Sequence, residues 1–479
     1  MTSARQENLE SIPLHTTPAC TLKKMLQTYP ERKYYLVYLA ALFVIVQIIS
    51  QLTPPFQSPD EPNHLKRAYL LYKGEILLRS QNDITGGAID TGLLRYMDAF
   101  SDLRFHAKTK VSAETVKLSN EEKWTGQREF SELPNTAYYF PLSYTPQALA
   151  LAIGEALDLR ISTSYKLARF FSLAATLGLL GLAFLAAPAP PMVLALFAIP
   201  MTLFQLASAS LDAVSFALTA FIAALYVRGT DTSETYTRKM HLALTIALFA
   251  LVTTRINLLP LTLLPLAVYW KRRDKLHVVS TLLLVVLSVT WVLYNLKTVH
   301  GMPARQLTTF EIIQFYADHP SQFFHIIAAT LTNYHMLGVY AEGFVGVLGW
   351  LDAPLPIEGY LIIAGLLVWL AVITFNANVF RAPNANVIVL TTLGLASAAL
   401  IFIMMLFTWT EHPATIIQGP QGRYFTPIAI ILSFAALNKK LNAKQFRFTA
   451  TPIYTILFVS TVFTVTTLIF RYYLSVTTG

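Results

Sequence analysis

Long blocks of apolar residues recur along the chain, separated by short polar connections and by two long polar segments. In a helix that rises about 1.5 Å per residue, about 20 apolar residues span the hydrocarbon core of a bilayer. The pattern therefore predicts an all-α integral membrane protein with about eleven transmembrane helices. The predicted blocks are residues 34–52, 139–157, 165–187, 190–207, 210–228, 241–270, 277–297, 358–376, 386–408, 423–437 and 451–470.

The two long polar segments are predicted to be large outer loops, at residues 53–137 and 299–357. The other predicted parts of the chain are a tail at residues 1–33, a transmembrane module at 34–298 that includes the first loop, and C-terminal transmembrane helices at 358–479. Long loops of this kind cross the membrane largely regardless of their charge, so orientation has to come from the short connections.

Positive charge beside the first block, at Arg32 and Lys33, holds that end in the cytoplasm. The prediction is a cytoplasmic N-terminus, a C-terminus outside the membrane, and both long loops on the non-cytoplasmic side. Residues 321–339 are apolar but contain His325, and we interpret them as an outer helix near the membrane interface.

One block, residues 241–270, is interrupted by Arg255 and Pro260 and fits either one broken crossing or a hairpin. As one crossing, it places both basic clusters, at residues 271–275 and 439–447, on the cytoplasmic side. A hairpin reverses every later segment and moves the second cluster outside. The positive-inside rule therefore favours the single crossing.

Composition supports the membrane interpretation. Charged residues make up 13% of the chain, whereas soluble domains carry about 25%. The net charge of +9 lies largely between apolar blocks, where it sets topology, so it does not indicate a nucleic-acid partner. A lone cysteine, Cys20, excludes an internal disulfide and a multi-cysteine metal site.

The first candidate for chemistry is residues 58–75, just after the first block. Asp60 and Glu61 are adjacent acids at a predicted helix start, and His64 shares the face of Asp60. The apolar stripe of this helix predicts that it lies on the outer membrane surface. Locally, helix capping is the better explanation for Asp60; the alternative is a carboxylate that faces a cleft as a general base.

Two further segments that lie near outer loops are candidates for chemistry. In residues 343–356, Trp350 and Asp352 suit a sugar site, and an interfacial tryptophan anchor beside a turn fits equally well. In residues 416–427, Arg423 stands at the outer end of an apolar block, where a charge is costly unless paired, hydrated or functional.

A guanidinium fork suits a phosphate, whereas a lipid-exposed arginine can also extend to headgroups. The phosphate interpretation is favoured because Gln418, Gln421 and Tyr424 add donors nearby. Asp212 and Arg255 are weaker candidates: each is either functional or paired with the other.

Four motifs in order, PDEPNH, ASLDAVSFAL, GWLDAPLP and QGRYFTP, resemble a widespread family of bacterial polytopic membrane proteins that is placed by similarity with the GT-C glycosyltransferases. The resemblance covers about residues 35–470. It implies a GT-C-like fold in the bacterial cytoplasmic (inner) membrane. It also implies a polyprenyl-phosphate-sugar donor and transfer to a glycan or lipid-linked acceptor on the outer face.

The resemblance further implies roles for individual residues. Asp60, or less favourably Glu61, matches the acid of the first outer loop and is expected to act as general base. The other roles come from the side-chain chemistry above: Arg423 is expected to bind the donor phosphate, and His64, Trp350, Asp352, Gln418, Gln421 and Tyr424 to line the substrate site.

No obligatory cofactor is expected, and no metal site is assigned, although Asp60, Glu61 and His64 leave a divalent metal possible. Membrane lipids are the remaining partner. The alternatives in function are a transporter or flippase of lipid-linked sugars and an outer-face polysaccharide polymerase or ligase. The absence of a visible internal repeat favours an enzyme over a transporter.

Overall fold

The computed structural model describes residues 31–300, 307–374, 383–436 and 443–474. Cys20, the predicted tail through residue 30 and residues 439–442 of the second basic cluster lie outside the described residues. The helices are α1 Glu31–Leu52, α2 Glu61–Tyr72, α3 Thr91–Asp98, α4 Ala113–Ser119, α5 Pro134–Ala137, α6 Thr145–Ala156, α7 Ile161–Ala186, α8 Pro191–Ala198, α9 Pro200–Leu206, α10 Asp212–Thr230, α11 Arg238–Val252, α12 Leu264–Arg272, α13 Leu276–Thr298, α14 Thr309–Asp318, α15 Pro320–Leu331, α16 Tyr334–Val345, α17 Ile357–Thr374, α18 Ala385–Thr408, α19 Thr426–Ala435 and α20 Ala443–Tyr472. The strands are β1 Arg79–Gln81, β2 Ile84–Asp90, β3 Arg128–Glu132, β4 Val347–Leu348 and β5 Ala353–Pro354.

Seven of the described helices are long and apolar enough to cross a membrane. They are α1, α7, α10, α13, α17, α18 and α20. Each coincides with one of the predicted blocks, so the all-α membrane class is confirmed.

The other predicted blocks are built from shorter helices, and prolines explain the breaks. Block 190–207 is divided between α8 and α9 at Pro200, and block 241–270 contains a 3₁₀ segment with Pro260 inside. Block 423–437 begins with a 3₁₀ turn before α19. Proline removes a backbone donor and clashes with the preceding turn, so it favours a kink or a break in the α-helix at these positions.

The helical bundle has two ends, which hydrogen bonds identify. At the loop end, where the first outer loop packs, the Ala209 amide donates to Glu61 at 2.7 Å and the Ile161 amide donates to the Glu122 carbonyl at 3.0 Å. At the opposite end, the Tyr35 hydroxyl accepts from the Ala189 amide at 3.1 Å. The described chain passes between these ends in α1, α7, α8–α9, α10, α11, residues 256–272, α13, α17, α18, residues 422–435 and α20.

The single-crossing interpretation of residues 241–270 is wrong, because this block is a hairpin. Near its tip, the Thr253 carbonyl accepts from the Phe140 amide at the loop end, at 3.2 Å. By Arg272 the chain has returned to the opposite end, where the guanidinium donates to the Gly229 carbonyl at 2.7 Å. The block therefore passes through the bundle twice.

Block 139–157 does not cross. Its helix α6 stays at the loop end, packed on α2 and α7, with Glu155 in a salt bridge to Lys73 at 2.7 Å. One predicted crossing is therefore absent and one extra crossing is present. The two differences cancel, so α20 still ends at the loop end, as the predicted topology requires.

The first outer loop contains a small sheet that the pattern of apolar blocks did not predict. Strands β1, β2 and β3 are antiparallel in that order, with Thr85 opposite Ser80 and Ala88 opposite Phe130. Helix α2 is not a surface helix: its apolar stripe and also Glu61, His64 and Arg67 are buried. It packs against α6 and β2 and forms the centre of this loop. In the second loop, residues 321–339 form parts of two short helices, α15 and α16, rather than a crossing.

Candidate active site

The Asp60 carboxylate is oriented but does not cap a helix. Asp60 occupies the N-cap position of α2 in the left-handed region, with φ 60° and ψ 4°, and its side chain makes no capping hydrogen bond. Instead it accepts from the Asn135 side-chain amide at 2.8 Å, and Asn135 in turn accepts from Asn63 at 2.7 Å. The side chain remains 37% exposed. A left-handed aspartate costs conformational energy, and such strain is concentrated at functional sites.

Glu61, the next residue, is fully buried and saturated with donors. Its carboxylate accepts from the Tyr165 hydroxyl at 2.8 Å and the Ala209 amide at 2.7 Å, and pairs with Arg169 at 3.2 Å. The Ser58 amide also donates to it at 3.4 Å. Glu61 therefore joins the first loop to α7 and to the connection between α9 and α10.

Arg423 joins two carboxylates from distant parts of the sequence. One terminal nitrogen lies 3.1 Å from Asp212, at the start of α10, and the other lies 3.6 Å from Asp60. Arg255, at the hairpin tip, pairs with the second oxygen of Asp212. The four charges form one buried network in which Asp60 is the most exposed member. The pairing of Asp212 with Arg255 is the structural alternative that the sequence left open.

The guanidinium groups of this network are not saturated. Within the described residues, the Nε atoms of Arg423 and Arg255 are buried and have no hydrogen-bond partner, and the same holds for the Gln421 side-chain oxygen. Buried donors without partners are rare in proteins, and a bound ion, a ligand or an ordered water is one explanation for them.

Arg423 is held in place by a close approach of two backbones. A 3₁₀ turn at residues 422–425 packs on α16, and a Cβ at Gly422 would lie 2.1 Å from the Phe344 nitrogen and 2.2 Å from the Tyr340 oxygen. Only glycine fits at this position. The turn then presents the next residue, Arg423, to Asp212.

His64 lies beside the network. Its Nδ1 is 2.7 Å from the Tyr144 hydroxyl, and its ring stacks on Tyr139 at 6.1 Å. Burial, followed by the charges of Arg255 and Arg423, holds the pKa of His64 well below its usual value. This histidine is therefore suited to hydrogen bonding rather than to carrying charge.

Trp350 and Asp352 belong to a different cluster. The Trp350 indole donates to the Phe56 carbonyl at 2.9 Å, and the Arg104 guanidinium lies 5.2 Å from the centre of the ring. Asp352 forms a buried ion pair with Arg471 at 2.7 Å. Trp350 therefore joins the turn between β4 and β5 to the first outer loop, and Asp352 joins it to the end of α20. None of these contacts reaches Asp60 or Arg423.

The other predicted substrate residues are divided. The Tyr424 ring faces both guanidinium groups, 5.6 Å from Arg423 and 6.0 Å from Arg255. Gln418 is exposed, and its backbone bonds to the Thr410 hydroxyl at 3.1 Å. The structure brings Tyr424 to the network, whereas the described contacts of Gln418 lie elsewhere.

The possible metal ligands of the first loop have separate partners. Asp60 binds Asn135, Glu61 binds Arg169, and the His64 ring binds Tyr144. In the part of the chain that the structure describes, no group of three or more His, Cys, Asp or Glu side chains is arranged to hold a metal ion.

Sequence reasoning missed several residues that build this site. Asn135 orients Asp60, Arg169 neutralises Glu61, and Gln205 accepts from the Ser58 hydroxyl at 3.1 Å. Only Arg169 carried a signal, because a charge inside an apolar block needs a partner. Asn135 and Gln205 have no local pattern that distinguishes them from other polar residues.

Two solved structures and one protein family are similar to this chain. Two structures of ArnT from Cupriavidus metallidurans are similar to the chain at 14% identity: one bound to undecaprenyl phosphate, with a TM-score of 0.34, and one in the apo state, with a TM-score of 0.36. They cover 88% and 92% of this chain and 78% of their own. No curated protein matches the chain. A family model described as a predicted membrane protein, DUF2142, matches residues 42–432, and the chain therefore belongs to the DUF2142 family of membrane proteins.

Proposed function

We propose that this membrane protein is a GT-C-type glycosyltransferase. It moves a sugar from a polyprenyl-phosphate donor to a cell-surface glycan or lipid-linked acceptor. The observation that carries this proposal is the strained, non-capping Asp60 carboxylate held beside Arg423, because it combines an accessible base with a buried cation. The four sequence motifs resemble the same enzyme class.

Asp60 acts as the general base. Its carboxylate is oriented by Asn135, is partly exposed and has no capping task, so it is free to accept a proton from an acceptor hydroxyl. Glu61 is not suited to this role, because all its oxygens are engaged and Arg169 neutralises it in the protein interior.

Arg423 and Arg255 bind the donor phosphate. Asp212 uses one oxygen for each guanidinium and so fixes their spacing, while each Nε–H remains without a partner. Two preorganised donors stabilise negative charge on a departing phosphate without reorganising during the reaction. Tyr424 packs against both groups and shields them from water.

The transfer then proceeds in one displacement. The acceptor oxygen attacks the anomeric carbon while Asp60 takes its proton, and the bond between that carbon and the phosphate oxygen breaks. The electron pair of that bond leaves with the polyprenyl phosphate, whose charge the two arginines stabilise. Attack opposite to the leaving group inverts the anomeric centre.

The basic residues 271–275 at the opposite end of the bundle orient the protein. With that end in the cytoplasm, both outer loops and the charged network face the non-cytoplasmic side of the bacterial inner membrane. Lipid-linked donors that have already crossed the membrane are then accessible to Asp60.

The test is complementation of a gene deletion with wild type, Asp60→Asn or Arg423→Lys. Asp83→Asn is the matched control, because Asp83 is an exposed aspartate of the same loop with a similar φ of 58°. Mass spectrometry follows the polyprenyl-phosphate sugars and the surface glycan, with membrane protein levels measured in each strain.

We expect the deletion and Asp60→Asn strains to accumulate one lipid-linked sugar that is missing from the glycan, with Asp83→Asn behaving as wild type. Loss of a general base lowers the rate by about 10²–10⁴-fold. Donor reaching the outer leaflet supports a transferase, whereas donor trapped in the inner leaflet shows a flippase. Normal glycan in Asp60→Asn refutes the proposed base.

A further inference from the structure

Two buried histidines meet at the end of the bundle opposite to the charged network. His241 lies in the first turn of α11 and His277 in the first turn of α13, and they are 4% and 3% exposed. Their rings are perpendicular, at 86°, with centroids 4.2 Å apart. The site described above uses neither residue.

The polar atoms of this pair have no partners in the described part of the chain. Both ring nitrogens of His241 and the Nδ1 of His277 are buried without a hydrogen bond. The buried hydroxyl of Tyr236 is also without a partner, and its ring lies 6.0 Å from that of His277. Four such atoms in one place are unusual, because buried polar groups in native proteins are almost always satisfied.

Charges of both signs lie near the pair. Asp274, in the connection between α12 and α13, acts electrostatically on both rings. Arg272 is the opposing charge, but its guanidinium is engaged by the carbonyls of Gly229 and Asp231, each at 2.7 Å, and by that of Glu234 at 2.8 Å. The Arg272 guanidinium also lies 5.3 Å from the centre of the Tyr236 ring.

We propose that His241 and His277 bind a divalent transition-metal ion of the zinc or nickel class. The oxygen of the Tyr236 hydroxyl is either the third ligand or the hydrogen-bond partner of a metal-bound water. Imidazole nitrogens select such ions, whereas magnesium and calcium prefer oxygen ligands. Zinc binds imidazole nitrogen at about 2.0–2.1 Å, and the two ring centroids lie 4.2 Å apart. The ion joins the starts of α11 and α13.

This site is independent of the proposed glycosyltransferase activity. It lies beside residues 271–275, at the end of the bundle away from Asp60, and no donor or acceptor is needed to detect it. A single bridging water is the competing occupant, since a water also binds two to four polar atoms.

The test uses the full-length protein, purified in detergent with an affinity tag that contains no histidine. Zn²⁺ is titrated against a chromophoric chelator for wild type, His241→Gln and His277→Gln, with His335→Gln as the matched control because His335 is exposed on α16. We expect one ion per chain in wild type and in the control. Each site variant should bind at least tenfold more weakly.

A second measurement does not depend on the variants folding. X-ray absorption of the Ni²⁺-loaded wild type should show two imidazole ligands. Among the variants of the titration, Tyr236→Phe should weaken binding severalfold. The proposal is refuted if wild type binds no ion, which would leave water in the site. It is equally refuted if binding survives in the double histidine variant, or if the spectrum shows no imidazole.

Discussion

At the scale of single residues, the adjacent acids Asp60 and Glu61 have opposite environments. The left-handed backbone at Asp60 turns its carboxylate toward Asn135 and Arg423, while α2 carries Glu61 into the interior against Arg169. Asp60 lies in the left-handed region just before the first residue of α2, so its side chain leaves the backbone in a different direction from that of Glu61. A partly exposed carboxylate and a neutralised one follow from that difference.

We predict that Glu61→Gln destabilises the protein by about 3–5 kcal/mol, because it leaves the buried Arg169 charge unpaired. Thermal unfolding in detergent measures the effect. Glu234→Gln is the control: that residue is half exposed in its pair with Arg228, and the change should cost less than about 1 kcal/mol. A double variant with Arg169→Gln should lose less than the sum of the two single changes. Additive losses would contradict the assigned pairing.

His64 gives a pH prediction. Its pKa is lowered in the folded protein, so the folded chain binds fewer protons than the unfolded chain below the usual histidine range. Stability is therefore unaffected by this group above about pH 6.5 and falls as the pH decreases below it, by up to about 1.4 kcal/mol per pH unit. The His64→Gln variant should lose less melting temperature than wild type between pH 7.5 and pH 5. An equal loss would show that His64 is protonated in the folded state.

At the scale of elements, close packing at glycine decides where the functional side chains lie. The turn at residues 422–425 approaches α16 backbone to backbone, with Gly422 against Gly343. Single prolines also affect where side chains lie. The breaks at Pro200 and Pro260 let short helices change direction inside the bundle. Arg255 reaches Asp212 because the hairpin has its tip beside the start of α10.

We predict that Gly422→Ala displaces Arg423 and lowers transfer activity at least tenfold, because the new Cβ would meet rigid backbone atoms of α16. Overpacking of this kind costs about 1–3 kcal/mol. Gly338→Ala on the same helix is the matched control, since a Cβ there meets nothing within 4 Å and alanine favours the helix. Glycan incorporation and melting temperature are measured for both. Wild-type behaviour of Gly422→Ala would rule out this packing as the device that positions Arg423.

At the scale of the whole molecule, the topology brings four distant segments to one end of the bundle. Asp60, Asp212, Arg255 and Arg423 lie within one network because α8–α9, the hairpin and the turn at residues 422–425 all end there. Buried charges at this depth are stable only as a group, since an isolated ion would lose its hydration without compensation. The histidine pair occupies the other end.

We predict the sidedness of two connections from this topology. In a Cys20→Ser background, an impermeant maleimide should label Arg160→Cys in intact cells but not Ser233→Cys, because the first position is at the loop end and the second at the opposite end. A single crossing at residues 241–270, combined with a crossing at 139–157, gives the reverse result. Asn82→Cys and Lys275→Cys are controls that both topologies place outside and inside, respectively.

The sequence by itself determined the membrane class, the positions of the seven long helices and the two large loops, because apolar length is a local property. It also identified Asp60 and Arg423 as candidate residues, and it raised the pairing of Asp212 with Arg255 as one alternative. The predicted topology and the structure both place the end of α20 on the side of the first outer loop, although the prediction contained two errors that cancelled.

Only the tertiary structure decided the rest. Whether α6 crosses, whether residues 241–270 turn back, and which acid is neutralised all depend on contacts between segments far apart in sequence. Asn135 acquires its role from Asp60, 75 residues away, and Arg169 from Glu61, 108 residues away. Hydrogen bonds and ion pairs of this kind have no local periodicity, so they become visible only when the chain is folded.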